Sequence, residues 1–142
     1  MSAAPAANCA LGAVVFFALP TKVILSPSHP PSAASIQTDR IRALNDELRK
    51  NFSQGHAVMT MGIATLGSEA VARIVKTVEV YEDFCHANDP HEEHDFGSFE
   101  VDGHTIFFKI DYYDKDLAYH SPDPSDPAVT KRVITIMLAE EY

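Results

Sequence analysis

The chain has 142 residues, enough for one ordinary domain with a single core, and its 46% hydrophobic and 22% charged content excludes a wholly disordered polymer. Its formal net charge is −9, and residues 82–126 hold 13 acids against Lys109 and Lys115, net −11. Such a field repels phosphate and excludes DNA binding by charge neutralisation, while it attracts cations, a basic partner, or a protein surface that normally holds DNA.

Residues 1–35 differ in material from the rest. Ala, Pro and Ser dominate, and Lys22 is the only charged side chain. The apolar run Ala10–Leu19 is closed by Pro20 and is too short to span a bilayer, which needs roughly 20 residues. It has the length of a signal-peptide core but no Lys or Arg before it. The expectation is a disordered or non-native N-terminal extension over 1–35, followed by a single α+β domain over 36–142, with no membrane association. Cys9 and Cys85 form neither a disulfide framework nor a CxxC metal pair, so a reduced, cytoplasmic protein is expected.

From Ser35 the patterning becomes orderly. Ser35 or Thr38 can cap a helix in which Ile41, Leu44 and Leu48 face inward and Arg40, Arg42, Asp46, Glu47 and Arg49 face out, with Ser53-Gln-Gly55 ending it. Ala57 to Ile63 reads as a short strand with Val58, Met61 and Ile63 as core candidates. Ser68 can cap a second helix carrying Val71, Ile74, Val75, Val78 and Tyr81 on one stripe, continued by Phe84 and stopped before Asn88-Asp-Pro90. The next prediction is a hairpin with a two-residue Asp102-Gly103 turn. Val101 should face His104 and Phe99 face Ile106, giving one buried face of Phe99, Val101, Ile106, Phe108 and Ile110. Residues 114–127 read as a polar loop and Arg132–Leu138 as a final buried strand. The order α-β-α-β-β-β predicts two amphipathic helices packed on one face of a mostly antiparallel sheet of about four strands.

The chemistry concentrates in Asn88-Asp-Pro-His-Glu-Glu-His-Asp-Phe-Gly97. His86, His91 and His94 have spacings that let imidazoles converge, and Asp89 or Asp95 could complete an N/O shell for a divalent metal. His91-Glu-Glu-His94 is not HExxH, and a solvated turn is the plainer reading. His94 and Asp95 could form an acid/base pair, although neighbours at the start of a strand point to opposite faces. The folding alternative has Asp95 capping loop backbone and His94 packing on Tyr112 or Tyr113, while Gly97 marks a position that tolerates no side chain. Asp111, Tyr113 and Asp114 would extend either a cation site or an acidic, aromatic protein-binding patch. Cys85 beside His86 is a weak nucleophile candidate, and no GxSxG, phosphate-binding or dinucleotide-binding glycine motif occurs.

Asn88-Asp-Pro, Glu93-His-Asp-Phe-Gly97, Phe99-Glu-Val-Asp-Gly103, Lys109-Ile-Asp-Tyr-Tyr-Asp114, Ser121-Pro-Asp-Pro and Arg132 to Tyr142 together resemble a bacterial family catalogued as domain of unknown function 3768, common on plasmids and other mobile elements. The resemblance covers about Ile41 to Tyr142, leaves residues 1–35 outside, and implies no activity or ligand. The resemblance implies that the family usually has glycine where this chain has Glu92, so a different turn is expected there. By analogy, mobile-element context points to an accessory or counter-defence protein.

The functional expectation is a non-enzymatic protein-binding factor using Asp89, Glu93, His94, Asp95, Asp111, Tyr113 and Asp114, with DNA mimicry as one form and no cofactor. The alternative is a metal-dependent hydrolase or nuclease with His94 and Asp95 catalytic and His91, His94, Asp95 and Asp111 holding a divalent metal.

Overall fold

The computed structural model describes residues 30–142 except 53 and 54. The expectations for residues 1–29, and for Ser53 and Gln54 as part of a helix stop, lie outside the described residues.

Helix α1 runs Ala33–Lys50. Its N-cap is Ser32, whose hydroxyl accepts from the Ser35 amide at 3.1 Å, so the helix starts ahead of both predicted caps and of the boundary at residue 36. Arg49 and Lys50 occupy the last turn, where cations suit the negative end of the helix dipole.

Strand β1 is His56–Met59, shorter than predicted. Thr60 donates the last ladder hydrogen bond, to Ile136, and the chain then turns into the one-turn helix α2, Met61–Ala64. The Glu141 carboxylate causes that turn: it accepts from the Thr60 hydroxyl and from the Gly62 amide at 3.0 Å, satisfying an amide that the helix start leaves open. Ile63 is buried as expected, but from a helix; Val58 and Met61 are exposed rather than core.

Helix α3 runs Ser68–Val80. Ser68 is its first helical residue, and Gly67 is the cap at φ +97°, a conformation that glycine adopts without penalty. The helix ends at Val80, well short of Asn88. Its terminal carbonyls are already taken: Arg49 Nη1 donates to Val78 O at 3.0 Å and Tyr81 O at 2.9 Å, closing the C-terminus from another helix.

Strands β2 (Phe96–Val101), β3 (His104–Tyr113) and β4 (Lys131–Leu138) complete an α+β fold, with a 3-10 turn over Ala139–Glu141. The sheet order is β1-β4-β3-β2, with β2/β3 and β3/β4 antiparallel and β1/β4 parallel, so the four-stranded sheet is mixed. The hairpin has the expected register, Val101 opposite His104 and Phe99 opposite Ile106. Asp102 (φ +51°) and Gly103 (φ +81°) both have the positive φ that a tight two-residue hairpin turn requires.

Ile106, Phe108, Ile110 and Tyr112 of β3 and Ile134, Ile136 and Leu138 of β4 lie on one face by register and are buried. They form a single cluster with Ile41 and Leu48 of α1, Ile63 of α2 and Ile74 and Val78 of α3, against which Phe99 and Val101 pack. Among the described residues, no helix is long and apolar enough to cross a membrane.

Candidate functional site

The loop between α3 and β2 is built from the backbone outward. The Asn88 amide donates to Asp83 O at 2.9 Å and to the Tyr81 hydroxyl at 3.1 Å, and its oxygen accepts from the Cys85 amide at 2.9 Å. Asp89 is 4% exposed, and its carboxylate accepts from the Glu93 amide at 2.9 Å and the His94 amide at 3.2 Å. Asp89, not Asp95, therefore caps this loop. The two amides satisfy its buried oxygens, which would otherwise be costly to remove from water.

Those bonds hold Glu92 and His94 at φ +57° each, a region that residues with a Cβ rarely enter. His94 stacks on Phe84, with ring centroids 3.8 Å apart and planes within 4°, rather than on Tyr112 or Tyr113. His94 Nδ1 lies 2.9 Å from Asp46 Oδ1, and Nε2 lies 3.9 Å from Asp89 Oδ2. The imidazole thus sits between a helix carboxylate and a loop carboxylate.

Asp46 Oδ1 also accepts from Arg49 Nη2 at 2.6 Å. Burial acts to raise the Asp46 carboxyl, but hydrogen bonds from Arg49 and His94, with their charges, outweigh it and hold the group below its ordinary value. Arg49 is 1% exposed, against the solvent-facing position expected for it. Its guanidinium carbon lies 4.9 Å from the Phe84 ring centre and 5.9 Å from that of Phe108.

A second buried chain runs alongside. Asn45 donates to Glu93 O at 2.9 Å and to the Tyr112 hydroxyl at 2.7 Å, and accepts from Arg132 Nε at 3.0 Å. The Tyr112 hydroxyl donates to Glu93 Oε2 at 2.9 Å, and burial pushes that phenol up, so it remains a donor at neutral pH. Asn45, Asp46 and Arg49 are the residues that sequence reasoning missed. A signal was present: Asn45 and Arg49 lie four and eight positions after Ile41, on the stripe that should be apolar.

Three of the remaining expected residues, Asp95, Asp111 and Tyr113, meet at one cavity, whereas Asp114 and His91 lie apart from it. Asp95 lines a cavity of about 280 Å³ with Asp111, Tyr113 and His120. Burial, then the Glu93 and Asp89 carboxylates, push its carboxyl up. Asp111 is paired with Lys109 at 3.0 Å. Asp114 accepts from the Ala118 amide at 2.9 Å and the Tyr119 amide at 3.3 Å, folding the loop that follows β3. His91 is exposed. Among the described residues, no group of three His, Cys, Asp or Glu side chains is placed to hold a metal, so His91, His94, Asp95 and Asp111 are not gathered into one shell. His94 and Asp95 do not form a pair either; the partners of His94 are Asp46 and Asp89. Cys85, expected as a reduced thiol, is disulfide-bonded and is no nucleophile in this state.

Within residues 82–126 the exposed acids are a smaller set: Glu82, Asp83, Glu92 and Asp116, together with Glu100, which accepts from Thr105, and Asp102, which pairs with Arg73. On the loop after β3, Asp116 stands beside two exposed apolar side chains, Leu117 at 43% and Tyr119 at 77%.

The family model described as protein of unknown function (DUF3768) matches residues 59–141, more than half of the chain. Comparison with curated proteins and comparison with solved structures each give no match.

Proposed function

The chain belongs to the DUF3768 family, and we propose that it is a small, non-enzymatic, protein-binding accessory factor. In this reading α1 and α3 cover one face of the sheet, and the buried acids of the 88–95 loop serve the fold. The partner is met instead by the loop after β3 and the exposed acids near it. One observation carries the reading: Asp116, Leu117 and Tyr119 are presented together on a loop that Asp114 holds in shape, with Leu117 at φ +56°. Exposed apolar and aromatic side chains beside carboxylates suit a basic protein surface, because aromatic contact area supplies affinity and the charges supply steering.

DNA mimicry is the form of this reading in which the partner's surface is one that normally holds phosphate, as the net −11 of residues 82–126 supports. Cytoplasmic location and an accessory role on a mobile element belong to the same proposal.

The experiment is affinity capture with the intact chain, compared with a Glu92→Lys, Asp116→Lys, Tyr119→Ala variant. Captured partners should be lost from the variant and released by salt, since exposed charges are screened within about 10 Å at 0.1 M. Where a partner binds DNA, the chain should compete with that DNA. Retention of every partner by a folded variant would falsify the reading.

A further inference from the structure

We propose that the free edge of β1 is a self-association site. A second copy of this chain adds its own β1 there, antiparallel, across a two-fold axis at Val58. The sheet order β1-β4-β3-β2 makes β1 and β2 the two edges, and they are finished differently. On β2 the Tyr81 hydroxyl lies 3.3 Å from both the amide and the carbonyl of Ser98, covering the outward side of the strand. Glu100 adds a charge to that edge.

Strand β1 has no such cover. Thr60 N donates to Ile136 O at 3.0 Å, and the parallel register sets Ala57 beside Ile134 and Met59 beside Ile136. Backbone groups of alternate residues in a ladder point to the same neighbour, so those of His56 and Val58 serve β4. The amides and carbonyls of Ala57 and Met59 point away from it and have no partner among the described residues. All four residues of the strand are exposed, Val58 at 50% and Met59 at 42%, and Met61 just beyond is 76% exposed. The strand holds no Asp, Glu, Lys, Arg or Pro, the residues by which edge strands usually resist pairing.

The spacing of the outward groups selects the occupant. A two-fold axis at Val58 sets Ala57 opposite Met59 of the second copy, and Met59 opposite its Ala57. Both are hydrogen-bonded pairs that exchange two N–H···O bonds, so every outward group on the two strands is used. Val58 meets its own counterpart between them, in the position where side chains approach most closely. On the other face a small side chain, Ala57, lies beside a long one, Met59. Charge agrees with a second copy: a chain of net −9 repels its own kind, and an uncharged strand brings no like charges directly opposite. The inference is independent of the Asp116–Tyr119 surface.

Sedimentation equilibrium of the full chain should approach twice the monomer mass as protein rises to about 0.5 mM, a range that covers the micromolar affinities of small interfaces. Ala57→Pro removes only an outward amide and leaves the β1/β4 ladder whole, so it should stay monomeric with the parent's circular dichroism. Val58→Lys sets two like charges on the axis at a half-exposed position and should weaken association at least about tenfold. Val80→Lys, 57% exposed on α3, should leave it unchanged. Val58→Cys reads the register. Cα atoms of a non-hydrogen-bonded pair lie about 4.5 Å apart, within disulfide reach, so oxidation should give a covalent dimer that the parent and Val80→Cys do not give. A chain that stays monomeric over the whole range overturns the proposal. So does a dimer that persists in folded Ala57→Pro and Val58→Lys, or one that Val58→Cys does not cross-link.

Discussion

Asp46 and His94, 48 residues apart in the chain, meet with Nδ1 2.9 Å from Oδ1, at the oxygen that Arg49 also contacts at 2.6 Å. This contact ties α1 to the loop before β2 and places a carboxylate against a guanidinium that is 1% exposed. Arg49 in turn closes the end of α3. One carboxylate therefore links α1, α3 and the 88–95 loop. The His-and-acid composition of that loop reflects how the loop is fastened.

Asp46→Asn should destabilise the chain by about 2–4 kcal/mol. Breaking a buried pair costs about 3–5 kcal/mol because the partner charge is left uncompensated, and the 26% exposure of Asp46 lowers that figure. Because the folded state holds this carboxyl below its ordinary value, its contribution is full above the unfolded aspartate range, near 3.9. It is lost as pH falls through the folded value. Urea midpoints for parent and variant should therefore differ at pH 7 and converge in acid; a constant difference would show that charge is not the cause.

The hairpin was legible in the sequence because its determinants are local. Asp102-Gly103 specifies the turn, and alternation from Phe99 to Ile110 then sets the register and the buried face. The polar centre was not, because each of its bonds spans distant segments: Arg49 reaches Tyr81 and Asn45 reaches Arg132. Apolar periodicity alone assigns Arg49 to solvent, and only its position on the stripe of Ile41 hints otherwise. The early end of α3 has the same origin, since the arginine that closes it lies in α1. Among the loop acids, sequence chemistry could not separate Asp89, enclosed by amides, from Glu92, which faces water.

Glu92→Gly should raise stability by a few tenths to about 1 kcal/mol. Glu92 sits at φ +57°, where a residue with a Cβ is strained by about 1–2 kcal/mol, and glycine removes that strain while losing more freedom on folding. The side chain is exposed, so no buried contact is given up. Glycine is what this backbone favours. A thermal scan of the two proteins decides it, and a fall in Tm would mean that the Glu92 side chain supports the turn in some other way.

Gly97→Ala should act in the opposite sense, at about 1–3 kcal/mol. Gly97 pairs with Phe108 across the hairpin, and a Cβ there would overlap the Phe108 and Tyr81 rings. Those rings pack edge to face at 5.2 Å and belong to the central cluster, so neither can move without opening the core. Backbone strain is not involved, which gives a discriminating control: Gly103→Ala meets open space but sits at φ +81°. Near-UV circular dichroism should change for Gly97→Ala, where aromatic packing is disturbed, and stay close to the parent for Gly103→Ala.

Asp95 gives the reverse pH dependence to Asp46. Burial and the neighbouring Glu93 and Asp89 carboxylates raise its folded value, so the folded chain holds this proton more firmly than the unfolded chain does. The favourable contribution is full below the unfolded aspartate range and is lost as pH rises through the folded value. At neutral pH an ionised Asp95 therefore works against folding. Asp95→Asn removes that charge and keeps the shape, so its Tm should exceed the parent's at pH 7, and the gain should shrink as pH drops through the raised folded value and be gone below about 4. The opposite result, a variant weaker than the parent at pH 7, would mean that the carboxylate has a partner it needs when ionised. Combined with Asp46→Asn, the two substitutions should tilt the stability profile in opposite directions, since one carboxyl is held below its ordinary value and the other above it.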